Sequence, residues 1–139
     1  MFAKSVVPEH FLGRFLIHLK LDDGYHLAYC RDGKLQMSAE HPTVAIPAAL
    51  GACLLKVALT LAHGKGKRHN ITPKDMRDAE VIVTEVDSKF HVEIKFPNIK
   101  QAVLDAAAAC CQGVRHICPV DAMLHPDLVS DLSFIGDMR

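Results

Sequence analysis

Ala79-Glu80-Val81-Ile82-Val83-Thr84-Glu85-Val86-Asp87-Ser88-Lys89-Phe90-His91-Val92-Glu93-Ile94-Lys95-Phe96 is the clearest structural signal in this chain. Val81 to Val83 is a β-branched run. Phe90, Val92, Ile94 and Phe96 then alternate with His91, Glu93 and Lys95. Alternation of period two means one wet face and one buried face. Asp87-Ser88 sits between the two runs as a turn, so the segment reads as a β-hairpin. Pro97-Asn98 is expected to break the second strand.

Upstream, more strands are expected. Arg14-Phe15-Leu16-Ile17-His18-Leu19-Lys20-Leu21 alternates and ends at Asp22-Asp23-Gly24, a hairpin turn signal. Tyr25 to Cys30 follows, then a second turn at Arg31-Asp32-Gly33-Lys34, then Leu35-Gln36-Met37-Ser38. These three read as an antiparallel meander. At His41-Pro42-Thr43 the pattern changes. Pro42 should end the strand, and Thr43 is a candidate cap for a helix running to about Ala62, with His63-Gly64 as its stop. Pro47 is tolerable in a first helical turn. This helix is apolar nearly all round, which predicts burial on most faces. Gly64 to Asp78 is a polar loop whose Lys and Arg residues read as a solvated surface.

Downstream of the hairpin, a second, Ala-rich helix is expected over about Ile99 to Gln112, ending at Gly113. A short helical turn after Cys118 and a last strand over Val129 to Ile135 complete the order. Strands cluster and helices are segregated, so the class is α+β, in one domain spanning residues 1–139.

Composition narrows the function. Half of the 139 residues are hydrophobic and only 6% are aromatic, so Ala, Val, Leu and Ile must build the core. Sixteen basic and sixteen acidic residues cancel, which gives no electrostatic reason to expect a nucleic-acid or anionic-membrane partner. Met1 to His10 has no apolar stretch of the signal-peptide kind. Val44 to Ala62 is long enough to raise a membrane question, but Lys56 near its centre would be costly in lipid. A buried helix of a cytoplasmic protein is the expectation. Five cysteines is an odd number, which argues for free thiols rather than a disulfide framework. Nine histidines are scattered without a recognised metal spacing, and there is no CxxC, GxSxG, Walker A or GxGxxG sequence.

The cysteines are therefore the chemistry. Cys53 lies mid-helix in Ile46-Pro47-Ala48-Ala49-Leu50-Gly51-Ala52-Cys53-Leu54-Leu55. Apolar burial alone would keep it a neutral thiol, so a reactive Cys53 needs a cation nearby, for which an arginine of the meander is the natural source. Cys118 opens Cys118-Pro119-Val120-Asp121 and is a candidate helix N-cap, where backbone N–H groups favour a thiolate. Two helices packed side by side could bring the two sulfurs together, an arrangement suited to thiol redox chemistry. Cys110-Cys111 read as packing residues, and Cys30, at a strand end, as structural or an exposed bystander.

Two segments together resemble the OsmC/Ohr family, the osmotically inducible and organic hydroperoxide resistance proteins. His41-Pro42-Thr43-Val44-Ala45-Ile46-Pro47-Ala48-Ala49-Leu50-Gly51-Ala52-Cys53 is similar, without a gap, to the family's first cysteine helix, which typically begins Asn-Pro-Glu and ends Ala-Ala-Cys. Cys118-Pro119-Val120-Asp121-Ala122-Met123-Leu124 looks like its second motif, Cys-Pro-Val-Ser followed by a small residue and Leu. The likeness runs from about Arg14 to the C-terminus, with the hairpin between the two motifs.

The resemblance implies antiparallel sheets wrapped around two central helices in an intertwined homodimer. It implies a thiol peroxidase acting on organic hydroperoxides in oxidative-stress defence, recycled by an external dithiol reductant, with no metal or flavin cofactor. By position Cys53 would be the peroxidatic thiolate and Cys118 the resolving thiol. Arg14 matches the arginine that stabilises the thiolate, with Arg31 as the runner-up. The chain departs from the pattern at two points. Thr43 stands where the family has a Glu that holds the arginine, although Glu40 lies three residues earlier, and Asp121 replaces the Ser. The loss of that Glu motivates the alternative, a small-molecule or protein-binding module with little or no peroxidase activity. In a third reading both cysteines are purely structural.

Overall fold

The structure, a computed structural model, describes residues 14–31, 34–37, 42–65, 73–106 and 127–138. The meander forms as the alternation dictates: β1 (Arg14–Leu21), β2 (Gly24–Arg31) and β3 (Lys34–Met37) are successive antiparallel neighbours. The hairpin is β4 (Glu80–Val86) and β5 (Lys89–Lys100). Its turn residues Asp87 and Ser88 both have positive φ, the conformation of a tight two-residue hairpin loop. Gly24, with a φ of 129°, sits where a side chain would be strained.

All six strands join one sheet in the order β3-β2-β1-β4-β5-β6, where β6 is Val129–Asp137. The class is mixed α+β. The sheet is not wholly antiparallel, because β1 pairs with β4, and β5 with β6, in parallel. The reason is the helix between each pair. After three strands the chain stands at the far end of the sheet. Helix α1 (Pro42–Lys65), about 36 Å long at 1.5 Å per residue, carries it back so that β4 starts beside the start of β1. The connection containing α2 (Gln101–Ala106) does the same between β5 and β6.

Several boundaries differ from the sequence expectation. Pro42 starts α1 rather than ending the strand before it; a proline at the first helical position loses only an N–H that would be unpaired anyway. Thr43 is consequently inside the helix, and Pro47 is an interior residue rather than a first-turn one. The helix passes the expected stop by a residue, to Lys65. Pro97 does not end β5. The strand continues to Lys100 across a register shift between Phe96 and Lys100, and a bulge is a place where a missing N–H does no harm. The Asn98 side-chain amide donates to the Arg77 carbonyl at 2.8 Å, and Ile99 returns to the core. The second helix therefore begins at Gln101 rather than Ile99. The rest of its expected span, the Cys118 turn and most of the polar loop lie outside the described residues.

Helix α1 packs on one face of the sheet. That face carries Phe15, Ile17 and Leu19 of β1, Val81 and Val83 of β4, and Val92, Ile94 and Phe96 of β5, all buried. Gly51 marks the crossing point: a Cβ there would stand 3.0 Å from a Val83 methyl and 3.1 Å from an Ile17 methyl. A second close approach occurs at Gly136, where a Cβ would meet the Ile99 carbonyl oxygen at 2.5 Å. The Gly136 N–H donates to the Gln101 side-chain oxygen at 2.7 Å, tying the end of β6 to the start of α2. No helix among the described residues is long and apolar enough to cross a membrane.

Candidate active site

The burial of α1 locates its working face. Val44, Ala48, Leu50, Ala52, Leu54, Leu55, Val57 and Ala58 are buried, as an all-round apolar helix should be. One stripe is less covered. Ile46 is 53% exposed, Ala49 and Cys53 are partly exposed, and Lys56 is exposed. Spacings of three and four put these residues one above another on a helix surface. Among the described side chains of α1, Cys53 thus lies on the partly open stripe, with its flank packed against the core.

The two candidate arginines occupy matching positions. Arg14 opens β1, and its Cα partner across the β1–β2 ladder is Arg31. The next pair along is Phe15 and Cys30, both of which pack into the helix-side core. Successive residues of a strand point to opposite faces. Arg31, which is exposed, therefore belongs to the face away from α1. Thr43 lies in the first turn of α1. Cys118, Glu40, Asp121, Cys110 and Cys111 lie outside the described residues, so the pairing of Cys53 with Cys118 is not among the contacts described.

Sequence reading took Cys30 as structural or an exposed bystander, and the structure gives it a more specific position. Its pairing with Phe15 turns it toward α1, where it is partly buried against the core. Burial pushes the Cys30 thiol above its ordinary value of 9.0, and the Lys56 ammonium pulls it part of the way back. A cation of α1 is therefore close enough to act on a thiol of β2. The signal was present but weak: Cys30 is in phase with Ala28 on its strand, and Lys56 is in phase with Cys53 on its helix.

The other face of the sheet carries His18 and His91. His18 Nδ1 shares a hydrogen bond of 2.5 Å with the Tyr25 hydroxyl, and its Nε2 lies 3.5 Å from a Glu80 oxygen. His91 Nδ1 pairs with Asp131 at 2.5 Å, with the Ser130 hydroxyl 3.1 Å from the same nitrogen. This Ser-His-Asp group lacks the geometry of a hydrolase. A catalytic histidine takes its carboxylate on one ring nitrogen and the nucleophile on the other. Here the Ser130 hydroxyl lies 3.1 Å from Nδ1, the nitrogen that Asp131 takes, and 3.3 Å from Nε2, so it straddles the ring rather than facing the free nitrogen, and the His91 and Asp131 side chains are 41% and 61% exposed. Among the described residues no three His, Cys, Asp or Glu side chains are grouped as a metal site would require.

The fold and site together define a mixed α+β protein with a partly exposed thiol on its main helix. No family model, curated protein or solved structure matches the chain.

Proposed function

We propose that the chain is an OsmC-like thiol peroxidase that reduces organic hydroperoxides. The observation that carries this reading is the position of Cys53: it occupies the partly open stripe of an otherwise buried helix, within the motif that resembles the family's first cysteine helix. A wholly buried thiol would be inert, whereas a partly exposed one can meet a substrate while its flank stays in apolar surroundings suited to an alkyl hydroperoxide.

The chemistry balances without a cofactor. The Cys53 thiolate attacks the O–O bond of ROOH and takes one oxygen, and the departing alkoxide picks up a proton to leave as ROH. The Cys53 sulfenic acid condenses with the Cys118 thiol, forming a disulfide and releasing water. An external dithiol then reduces the disulfide by two exchange steps and is itself oxidised. Arg14 is the residue the resemblance assigns to thiolate stabilisation. The same resemblance supports a homodimer in which the exposed stripe of α1, including Ile46, is covered by a second subunit.

The test is direct. About one equivalent of cumene hydroperoxide should remove two thiols per chain, counted with Ellman's reagent, because one sulfenic acid consumes one resolving thiol. Peroxide consumption at the wild-type rate by a Cys53→Ser variant would exclude the proposal.

The second reading is an OsmC-like binding module. Thr43 in place of the family's Glu favours it, as does the apolar Ile46 left 53% exposed. Retention of all thiols after peroxide treatment, with an apolar ligand bound at this stripe, would establish it instead.

A further inference from the structure

A mid-helix cysteine has an electrostatic problem. Cys53 lies three turns into α1, beyond the reach of the positive N-terminal end of the helix dipole, which fades after the first turn. A thiolate there must be stabilised by a side-chain cation. Arg31 belongs to the opposite face of the sheet, and Arg14 holds the matching register position across the β1–β2 ladder.

We infer that Lys56 is a positioning residue for the Cys53 thiolate, the cation that α1 itself supplies to the site, acting beside any arginine contributed by β1. Lys56 follows Cys53 by three residues on the same partly open stripe, a spacing that sets Cβ atoms about 5–6 Å apart. Side chains on a helix lean toward its N-terminus, so the Lys56 stem leans over the turn that carries Cys53. The Lys56 ammonium is also near enough to favour ionisation of Cys30, a thiol on the strand beneath α1. Lys56 therefore serves the region between the helix and β2 as well as the solvent.

Among the described residues, the other ionisable side chains in phase with this side of the sheet are His26 and Glu85. Cys30 is the near titratable group of β2. His26 lies four residues further along that strand and is held by Asp23 at 2.9 Å, while Glu85, at the far end of β4, accepts from the Asp22 N–H at 3.1 Å. The helix-side positions of β1 and β5 are Phe, Ile, Leu and Val. The inference depends on the peroxidase reading for its purpose but not for its measurement.

The experiment is the pH dependence of iodoacetamide alkylation, read site by site by peptide mass spectrometry at low salt on the full chain. Lys56→Gln should raise the Cys53 midpoint by about half a pH unit, the scale of one partly exposed unit charge at this range. Cys30 should shift in the same direction. Lys56→Arg should restore the wild-type midpoint, which a packing role would not require. In the unmodified protein the Cys53 midpoint should rise as salt is added, a reading that needs no variant. An unchanged midpoint in Lys56→Gln, no rescue by arginine, or a salt-independent wild-type midpoint overturns the inference. A shifted midpoint without peroxide consumption sinks the peroxidase reading and leaves the role of Lys56 standing.

Discussion

The two faces of the sheet solve opposite problems with neighbouring residues. On the α1 side, Phe15, Ile17, Leu19, Val81, Val83, Val92 and Ile94 are almost fully enclosed, and Cys30, Cys53 and Lys56 lie at the margin of the helix. On the other side, His18, Glu80, His91, Ser130 and Asp131 meet in open ion pairs and hydrogen bonds, with Tyr25 and Leu27 exposed beside them. Water sets the difference. A charge pair in high dielectric contributes little, so the histidine pairs decorate the sheet rather than hold it. A thiol at the edge of an apolar core is different, because burial raises it and a nearby lysine offsets part of that rise.

The comparison can be broken most easily at the helix. Leu54 is wholly buried, and Leu54→Ala should cost about 2–5 kcal/mol through lost transfer energy and a residual cavity. Urea denaturation monitored by circular dichroism measures it; a loss below about 1 kcal/mol would mean α1 is not seated on the sheet as described.

Gly136→Ala should come next, at about 1–3 kcal/mol, because the new methyl would meet a backbone carbonyl that cannot move aside. Gly51→Ala is its control. The added methyl there meets side-chain methyls at 3.0 Å and 3.1 Å, and alanine's helix propensity offsets the crowding, so its midpoint in the same assay should lie closer to wild type.

On the open face, His91→Ala should change stability by no more than about 1 kcal/mol, since both partners of the His91–Asp131 pair are well exposed. A larger loss would show that β6 depends on this pair rather than on the parallel ladder to β5.

The smallest effect concerns pH. Burial raises the Cys30 thiol in the folded chain, so on passing above its ordinary value of 9.0 the unfolded chain gives up its proton first. Stability supplied by the neutral thiol is therefore fully present below about pH 9 and is lost as pH rises through the higher folded value. Stability curves of wild type and Cys30→Ala should run parallel below the ordinary thiol value of 9.0, and the wild-type curve alone should fall as pH rises above it.

Much of the fold was legible because short-range rules governed it. The β1 limits, the Asp22-Asp23 turn and the β4–β5 hairpin follow from alternation and turn residues that act within a few positions. Pro42 and Pro97 were misread for one reason: a proline reports only that an N–H is missing. Whether that absence ends an element, starts one or sits harmlessly in a bulge depends on what lies opposite. The parallel pairings of β1 with β4 and β5 with β6 were equally hidden, since strand order is set by how helices return the chain across the sheet.

The site divides in the same way. Cys53 stood out by its motif and its place on an apolar helix, and Arg14 and Cys118 entered through resemblance. Lys56 had been noted only as an obstacle to membrane insertion, and Cys30 as a bystander. Sequence alone determined the α+β class, the strand meander, the hairpin and the long apolar helix, because each is written in periodicity over a few residues. Tertiary structure alone decided which stripe of α1 stays open, that Arg31 lies across the sheet from that helix, and that the charge of Lys56 acts on the thiol of β2. Those facts depend on the phase of one element against another, and phase is set by packing.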